Sequence, residues 1–176
     1  MTDTSPSGMF DTIWAHLNRG LVDRDHPARH PTLATIGPDG PELRTLVLRG
    51  VDRSLSVLEF HTDRHSPKVD QIAGDPRVAL HIWLPHPRLQ LRLRAVARIE
   101  PGDPHLFARL PSGAQANYGG PAPGMPATPD PYEPDATRFT RIICTVIEID
   151  ALWLTDPHQR ALFTASDGWT GRWITP

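Results

Sequence analysis

A single cysteine, Cys144, occurs in this chain of 176 residues. That excludes an internal disulfide and points to a reducing, cytoplasmic setting. Long apolar runs are missing too: none approaches the roughly 20 residues that span a bilayer. The first eight residues are polar and lack the apolar core of a signal peptide. Charge of one sign is scarce. A formal net charge of −2 and a pI near 6.5 give no bulk attraction to nucleic acid or an anionic membrane. Nine histidines are present, but no HExxH run and no Cys/His pair at ligand spacing. His26 and His30 share a polar loop with Pro27 between them, so no metal site is expected. No G-x-S-x-G nucleophile elbow occurs, and Cys144, among Ile142, Ile143 and Val146, reads as a buried thiol. What is plentiful is proline, with 20 residues, many of them in 101–134. That region reads as a long ordered connection inside one domain covering 1–176.

The chain opens with an amphipathic helix over 9–19, in which Phe10, Ile13, Trp14 and Leu17 make one stripe suited to covering a barrel opening. Strands follow at 32–36 and 43–49, joined by the tight turn Gly37-Pro38-Asp39-Gly40. Further strands are expected at 55–62, 77–84, 89–99, 141–154, 158–164 and 169–175, with a short helix at 103–110. The segment 89–99 alternates most clearly: Leu89, Leu91, Leu93, Ala95, Ala97 and Ile99 on one face, Gln90, Arg92, Arg94, Val96 and Arg98 on the other. Six to eight strands without a βαβ rhythm or an internal repeat indicate a mainly β, antiparallel barrel with a few short helices.

The stretch RTLVLRGVDRSLSVLEFHTDRHSPK, residues 44–68, concentrates the chemistry. Residues 44–49 read as a buried strand, 51–54 as a turn and 55–62 as the partner strand. Ser66 and Pro67 suit the N-cap and first position of a helix that Gly74 would stop. The free N–H groups of a helix start favour an anion, and Arg44 and Lys68 are placed to close on one phosphate. On physical grounds alone, a hairpin and helix carrying ordinary surface cations fits equally well.

The same residues resemble the flavin-binding signature of the pyridoxamine 5′-phosphate oxidase-like split barrels: R-x-V-L-L-K, F-Y-T, S-R-K and R-Q-V. Here the four pieces stand as Arg44-Thr45-Leu46-Val47-Leu48-Arg49, Phe60-His61-Thr62, Ser66-Pro67-Lys68 and Leu89-Gln90-Leu91. The resemblance runs from about Trp14 to Pro176, and it implies an antiparallel split β-barrel that binds FMN and acts as an FMN-dependent oxidoreductase. It further implies a homodimer with FMN at the subunit interface. Arg44 and Lys68 would then hold the phosphate, with Ser66 at the helix start. Thr45, Leu46, Val47 and Leu48 would lie against the ring, and Arg49 takes the place of the closing Lys. His61 and Thr62 match Y-T, and Gln90 matches a Gln that hydrogen-bonds the cofactor. Trp153, His158 and Arg160 match a W…R-x-H-x-R segment, in which Trp153 and Arg160 contact FMN. On this reading residues from Arg44 to Gln90 come from one subunit, and Trp153 to Arg160 from the other.

The departures bear on the substrate. Pro67 replaces the middle Arg of S-R-K, and Asp156 stands where the true oxidases carry a vitamer-binding Arg. Arg49, Arg109 and His158 are the substrate-binding candidates. An aspartate facing a dianionic phosphate opposes its binding, so pyridoxamine 5′-phosphate is expected to be a poor substrate. The stretch from Pro111 to Gly124 is similar to a sub-branch of small bacterial FMN-binding relatives. The competing class is a non-catalytic flavin- or anion-binding barrel using the Arg92, Arg94 and Arg98 face. The acidic net charge and the lack of aromatics along that stripe argue against nucleic acid.

Overall fold

A computed structural model of the chain describes residues 5–127 and 132–176, so the first four residues and 128–131 of the proline-rich crossing lie outside it. Helix α1 (Pro6–Val22) begins where expected for physical reasons. Ser5 is its N-cap, its hydroxyl accepting the Gly8 N–H at 3.1 Å, and Pro6 occupies the first turn. Met9, Ile13, Trp14 and Leu17 are buried in the main core, while Phe10 is half-buried and stacks on Trp169 at 5.6 Å. The Arg29 guanidinium donates to the Gly20 and Leu21 carbonyls at 3.2 and 3.1 Å, satisfying acceptors that the helix end leaves open. Gly20 is required here: a Cβ would stand 2.8 Å from the Ala28 carbonyl carbon.

The strands are β1 (Thr32–Gly37), β2 (Gly40–Thr45), β3 (Leu48–Asp52), β4 (Val57–Asp63), β5 (Arg77–Leu84), β6 (Leu89–Pro101), β7 (Phe139–Trp153), β8 (Gln159–Thr164) and β9 (Arg172–Ile174). Helices α2 (Pro67–Gly74), α3 (Pro104–Ala108) and α4 (Ser112–Gln115) lie between them. All strand pairings are antiparallel. They form one sheet in the order β2-β1-β5-β6-β7-β4-β3, with β8 on β7 and β9 on β8. The two ends of that path, β2 and β3, are consecutive in the chain and joined only by Leu46 and Val47. Two residues cannot bridge a flat sheet seven strands wide. The sheet therefore curls until its edges meet, without pairing them, and this gives a split barrel.

That crossing corrects two expectations. Residues 44–49 are not one strand: β2 stops at Thr45, β3 starts at Leu48, and the Leu46 N–H turns to the Pro31 carbonyl at 3.0 Å. Val51 and Asp52, expected in a turn, lie in β3, and the break brings the strand count to nine. The last strand is also shorter than expected, three residues, because Trp169 and Gly171 both take positive φ before it. The strand β6 alternates as its sequence does, with Leu89, Leu91 and Leu93 almost fully buried. Each such leucine contributes roughly 1.5–3 kcal/mol on burial.

The outward face of the sheet is charged but paired. Arg92 meets Asp150, Arg94 meets Glu148 at 3.4 Å, and Arg98 meets Glu100 at 2.8 Å. The stripe is thus a lattice of ion pairs and not a bare cationic surface. A second, smaller cluster sits on this face, where Phe107 and Tyr118 of the crossing pack on Phe139 with ring centroids 5.8 and 5.2 Å away.

One contact makes the docking of α1 sensitive to pH. His26 Nδ1 accepts the Ala28 N–H, so His26 donates from Nε2 to His16 Nδ1 at 3.2 Å, an arrangement that requires both rings neutral. Burial, then His26 and Arg19, holds the His16 pKa below its usual value; for His26 burial and Arg19 do so against the pull of Asp23. A depressed histidine gives its full stability above the unfolded value of 6.5 and loses it as pH falls below. We expect Tm to fall from pH 7 to pH 5, and to fall less in His16→Leu. Equal falls in both proteins would show that this pair is not the source.

Candidate functional site

One end of the sheet gathers Arg44, Thr62, Ser66 and Lys68. β4 delivers Thr62, the turn after it places Ser66 as the N-cap of α2, and Lys68 lies in the first turn. Ser66 makes no side-chain cap bond to its helix; its hydroxyl accepts from Lys68 Nζ, which also donates to Thr62 Oγ1 at 3.1 Å. Among the described residues no carboxylate pairs with Lys68. Burial first, and Arg44 second, push the Lys68 pKa below its ordinary value. A half-buried ammonium whose partners are hydroxyls, next to a second cation and a helix start, fits an anionic group. Lys68 is also the one lysine in the sequence. Composition alone thus marks this position.

Arg44 is less free than expected. Its guanidinium donates to Thr35 Oγ1, to the Glu42 carbonyl at 3.1 Å and carboxylate at 2.8 Å, and to Gln71 Oε1 at 3.2 Å. A phosphate bound here would share Arg44 with Glu42. Beyond Thr45, exposed at the end of β2, Leu46 and Val47 form the crossing and are half-buried, and Leu48 belongs to the core. Arg49 is the extra residue of a β-bulge between Leu48 and Gly50. The residue as a whole is exposed, yet desolvation of its head group, and then Arg29, lower its pKa while Tyr118 opposes the shift. His61 does not join this cluster. Alternation along β4 turns its ring to the outer face, where Nε2 lies 3.1 Å from Glu59 Oε1 and the ring meets Phe139 edge-on. The His61 bond, followed by Arg141 and against burial, pulls the Glu59 carboxyl down to about 2.

The other candidates collect at the opposite end. Gln90 pairs with Leu152, and Leu152 pairs with Arg160, so one lateral row carries Gln90 and Arg160. Trp153 Nε1 donates to the Pro87 carbonyl at 2.8 Å, bracing the β5–β6 turn. Arg160 grips Asp150 with two bonds of 2.9 and 2.8 Å, and Arg92 reaches the same carboxylate. Burial pushes the Asp150 pKa up, but Arg160 and Arg92 outweigh it and hold it below normal. His158 is exposed, with Nδ1 2.7 Å from the Thr155 carbonyl, and Asp156 beside it is exposed as well. Arg109 caps the end of α3, in neither cluster.

The separation of these groups is decisive. Thr62 pairs with Thr140 at the start of β7, whereas Gln90 and Arg160 pair with Leu152 near its end, twelve residues later. At about 3.3 Å per residue that is about 40 Å measured along the strand. Gln90 thus shares its row with Arg160 beside Trp153, away from the Thr62 row, whereas Arg44 pairs through Leu33, Leu80 and Leu93 into the row of Ile149, three residues from Leu152. A hollow of about 450 Å³ lined by Pro67, Asp70 and Gln71 adjoins the Lys68 cluster. One of about 690 Å³, lined by Arg64, Asp70, Pro104, Thr137 and Phe139 among others, touches neither cluster. Smaller hollows of about 330 and 310 Å³ flank Arg160.

Curled antiparallel strands, split where β2 passes to β3 and carrying this cation–hydroxyl cluster, define the class of FMN-binding split barrels. The chain belongs to the family described as pyridoxamine 5′-phosphate oxidase, FMN-binding domain, whose model matches residues 11–100. Among solved structures it is similar to a pyridoxamine 5′-phosphate oxidase-related, FMN binding protein from Nostoc punctiforme, at 29% identity and TM-score 0.78 over 94% of this chain and 96% of that one. PhzG from Burkholderia lata shares the fold at 14% identity and TM-score 0.70, covering 99% of this chain and 94% of its own. General Stress Protein 26 from Bacillus anthracis does so at 20% identity and TM-score 0.51, covering 77% and 93%. No match was found among curated proteins.

The Asp150 carboxylate should matter to stability, because two arginines converge on it while it is nearly buried. Replacing it with alanine is expected to cost about 1.5–3 kcal/mol in urea unfolding, the range for hydrogen bonds to charged groups. An unchanged midpoint would show that the triad contributes nothing.

Proposed function

We propose that this chain, folded as one domain over 1–176, is an FMN-dependent oxidoreductase whose cofactor lies between two copies of the chain. The observation that supports the reading is the register, which sets the Thr62 row and the Gln90–Arg160 row twelve residues apart on β7, about 40 Å along the strand. Both groups match FMN contacts of the family, and in this reading one flavin takes them from different subunits. One copy supplies Arg44, Thr62, Ser66 and Lys68 to the phosphate and residues 45–48 to the ring. Its partner supplies Gln90, Trp153 and Arg160. The hydroxyls of Thr62 and Ser66, now turned to Lys68, are placed to hold the phosphate with it.

Bound FMN would supply hydride or electron transfer, and the protein the binding, orientation and electrostatics. Gln90 offers both a donor and an acceptor to the flavin edge. Asp150 fixes the Arg160 guanidinium and offsets part of its charge, so the ring environment is less cationic than the arginines alone suggest. The substrate is a small molecule other than pyridoxamine 5′-phosphate. Asp156 replaces the vitamer-binding Arg, and His158 beside it faces solvent in the single chain. Solved structures of the fold include an F420 reductase and PhzG in complex with tetrahydrophenazine-1-carboxylic acid, so the scaffold serves more than one substrate class. Cys144, buried and pushed up to about 12 by desolvation, is suited to a reducing compartment and takes no part in the chemistry.

FMN titrated into apoprotein should bind Arg44→Ala and Lys68→Ala at least tenfold more weakly than wild type, for a loss of roughly 1.5–3 kcal/mol per charged contact. Affinities equal to wild type in both variants would refute the phosphate assignment. The two-subunit site has its own check. Neither Lys68→Ala nor Arg160→Ala alone retains a full-affinity site, but co-refolded mixtures should regain some, because one site of each mixed dimer is intact. Absence of any recovery would place the whole site within one subunit.

A further inference from the structure

Arg138 and Asp63 form a buried ion pair that neither the family signature nor the proposed contacts use. Their side chains are only 8% and 6% exposed, and Arg138 Nη2 stands 2.7 Å from Asp63 Oδ2. The contact is charge on charge, since neither Asp63 Oδ2 nor Arg138 Nε has an aligned hydrogen-bond partner. The rest of Arg138 is anchored in the crossing. Nη1 donates to the Gly120 carbonyl and Nη2 to that of Pro121 at 3.3 Å. The rest of Asp63 is anchored in the turn that leads to α2. Its Oδ1 accepts the His65 N–H at 2.8 Å, its carbonyl accepts the Ser66 N–H at 3.0 Å, and the Arg64 N–H bonds the Arg138 carbonyl at 2.8 Å. The backbone N–H groups of 64, 65 and 66, between Thr62 and Lys68, are thus all held by these two residues. Asp63 also lies close enough to Lys68 to act on its charge, and it is a carboxylate near the place reserved for a phosphate.

We propose that Arg138 is a positioning residue for the phosphate end of the site: it holds the Asp63 carboxylate against the crossing, so that Lys68 and Ser66 stay available to an anion. The inference rests on the reading that Lys68 and its neighbours take the FMN phosphate. Two effects act together. With Arg138 in place, Asp63 shapes the 63–66 turn and its charge is compensated. Without Arg138, the uncompensated carboxylate is left with the His65 imidazole, 3.5 Å from Oδ1, and with Lys68, the permanent cation whose charge it already acts on; pairing with Lys68 would close the anion site from within. A buried charge left without its partner is strongly disfavoured, so the rearrangement has a driving force.

The test compares FMN with riboflavin, which has the ring and ribityl chain but no phosphate. Both are titrated into apoprotein by flavin fluorescence, for wild type, Arg138→Met, Arg138→Lys and the double variant Asp63→Asn/Arg138→Met. The expected result is that the preference of wild type for FMN over riboflavin falls tenfold or more in Arg138→Met, with riboflavin affinity unchanged. It should recover in Arg138→Lys, which keeps the charge. It should recover also in the double variant, which removes the competing carboxylate while the amide oxygen introduced by Asp63→Asn still accepts the His65 N–H. An unchanged preference in Arg138→Met, or no recovery in the double variant, overturns the proposal. So does an equal loss for both ligands, which is what general loosening would give. Arg138→Gln, still able to donate to the Gly120 carbonyl, stands in if Arg138→Met does not fold. A wild type without preference for FMN would instead sink the phosphate reading beneath it.

Discussion

The β6–β7 ladder is the constraint from which the rest follows. It runs from Leu89↔Trp153 to Pro101↔Thr140 with one register shift, the longest pairing among the described residues. Along it β7 changes its other partner, from β4 over 139–145 to β8 over 148–153. The change occurs at a bulge, where Arg94 and Ala95 face Glu148 and Val146, so that Ile147 is the extra residue and points outward. One strand therefore carries one set of chemical groups at its start and another at its end. The ladder sets their spacing along the strand.

Charge is distributed over this frame by residue type. The arginines Arg92, Arg94, Arg98, Arg141 and Arg160 lie on the sheet and are consumed by carboxylates. Planar guanidinium forks suit such fixed, bidentate contacts. The lysine instead stands at the mouth of a helix with hydroxyls around it, as a compact point charge with rotatable donors. Among the described residues most sheet arginines are paired with carboxylates, and the lysine is not.

Much of this was legible in the chain. The alternation of 89–99, the stripe of α1, and Ser66-Pro67 with Gly74 as brackets of α2 are local patterns, and the structure follows each of them. What was not legible depends on register or on distant partners. Leu46 and Val47 have strand-forming character, so nothing local marks the break that closing the barrel demands there. Gln90 reads as a partner of Thr62 and Lys68 in order, but its pairing with Leu152 puts it in the row of Arg160. Trp153 fits a flavin contact and a barrel brace equally from sequence; the bond to Pro87 shows the brace, which leaves the ring free for the proposed contact. The Arg138–Asp63 pair joins segments that no spacing rule connects.

The lone lysine has a consequence of another kind. Arginine holds its proton throughout the neutral range, so the chain offers acylating and carbonyl reagents a single side-chain amine. Burial and Arg44 lower the pKa of that amine and raise the share that is neutral and nucleophilic. Chemistry of this kind, which on most proteins scatters over the surface, is directed here to one side chain, the half-buried ammonium beside Thr62 and Ser66.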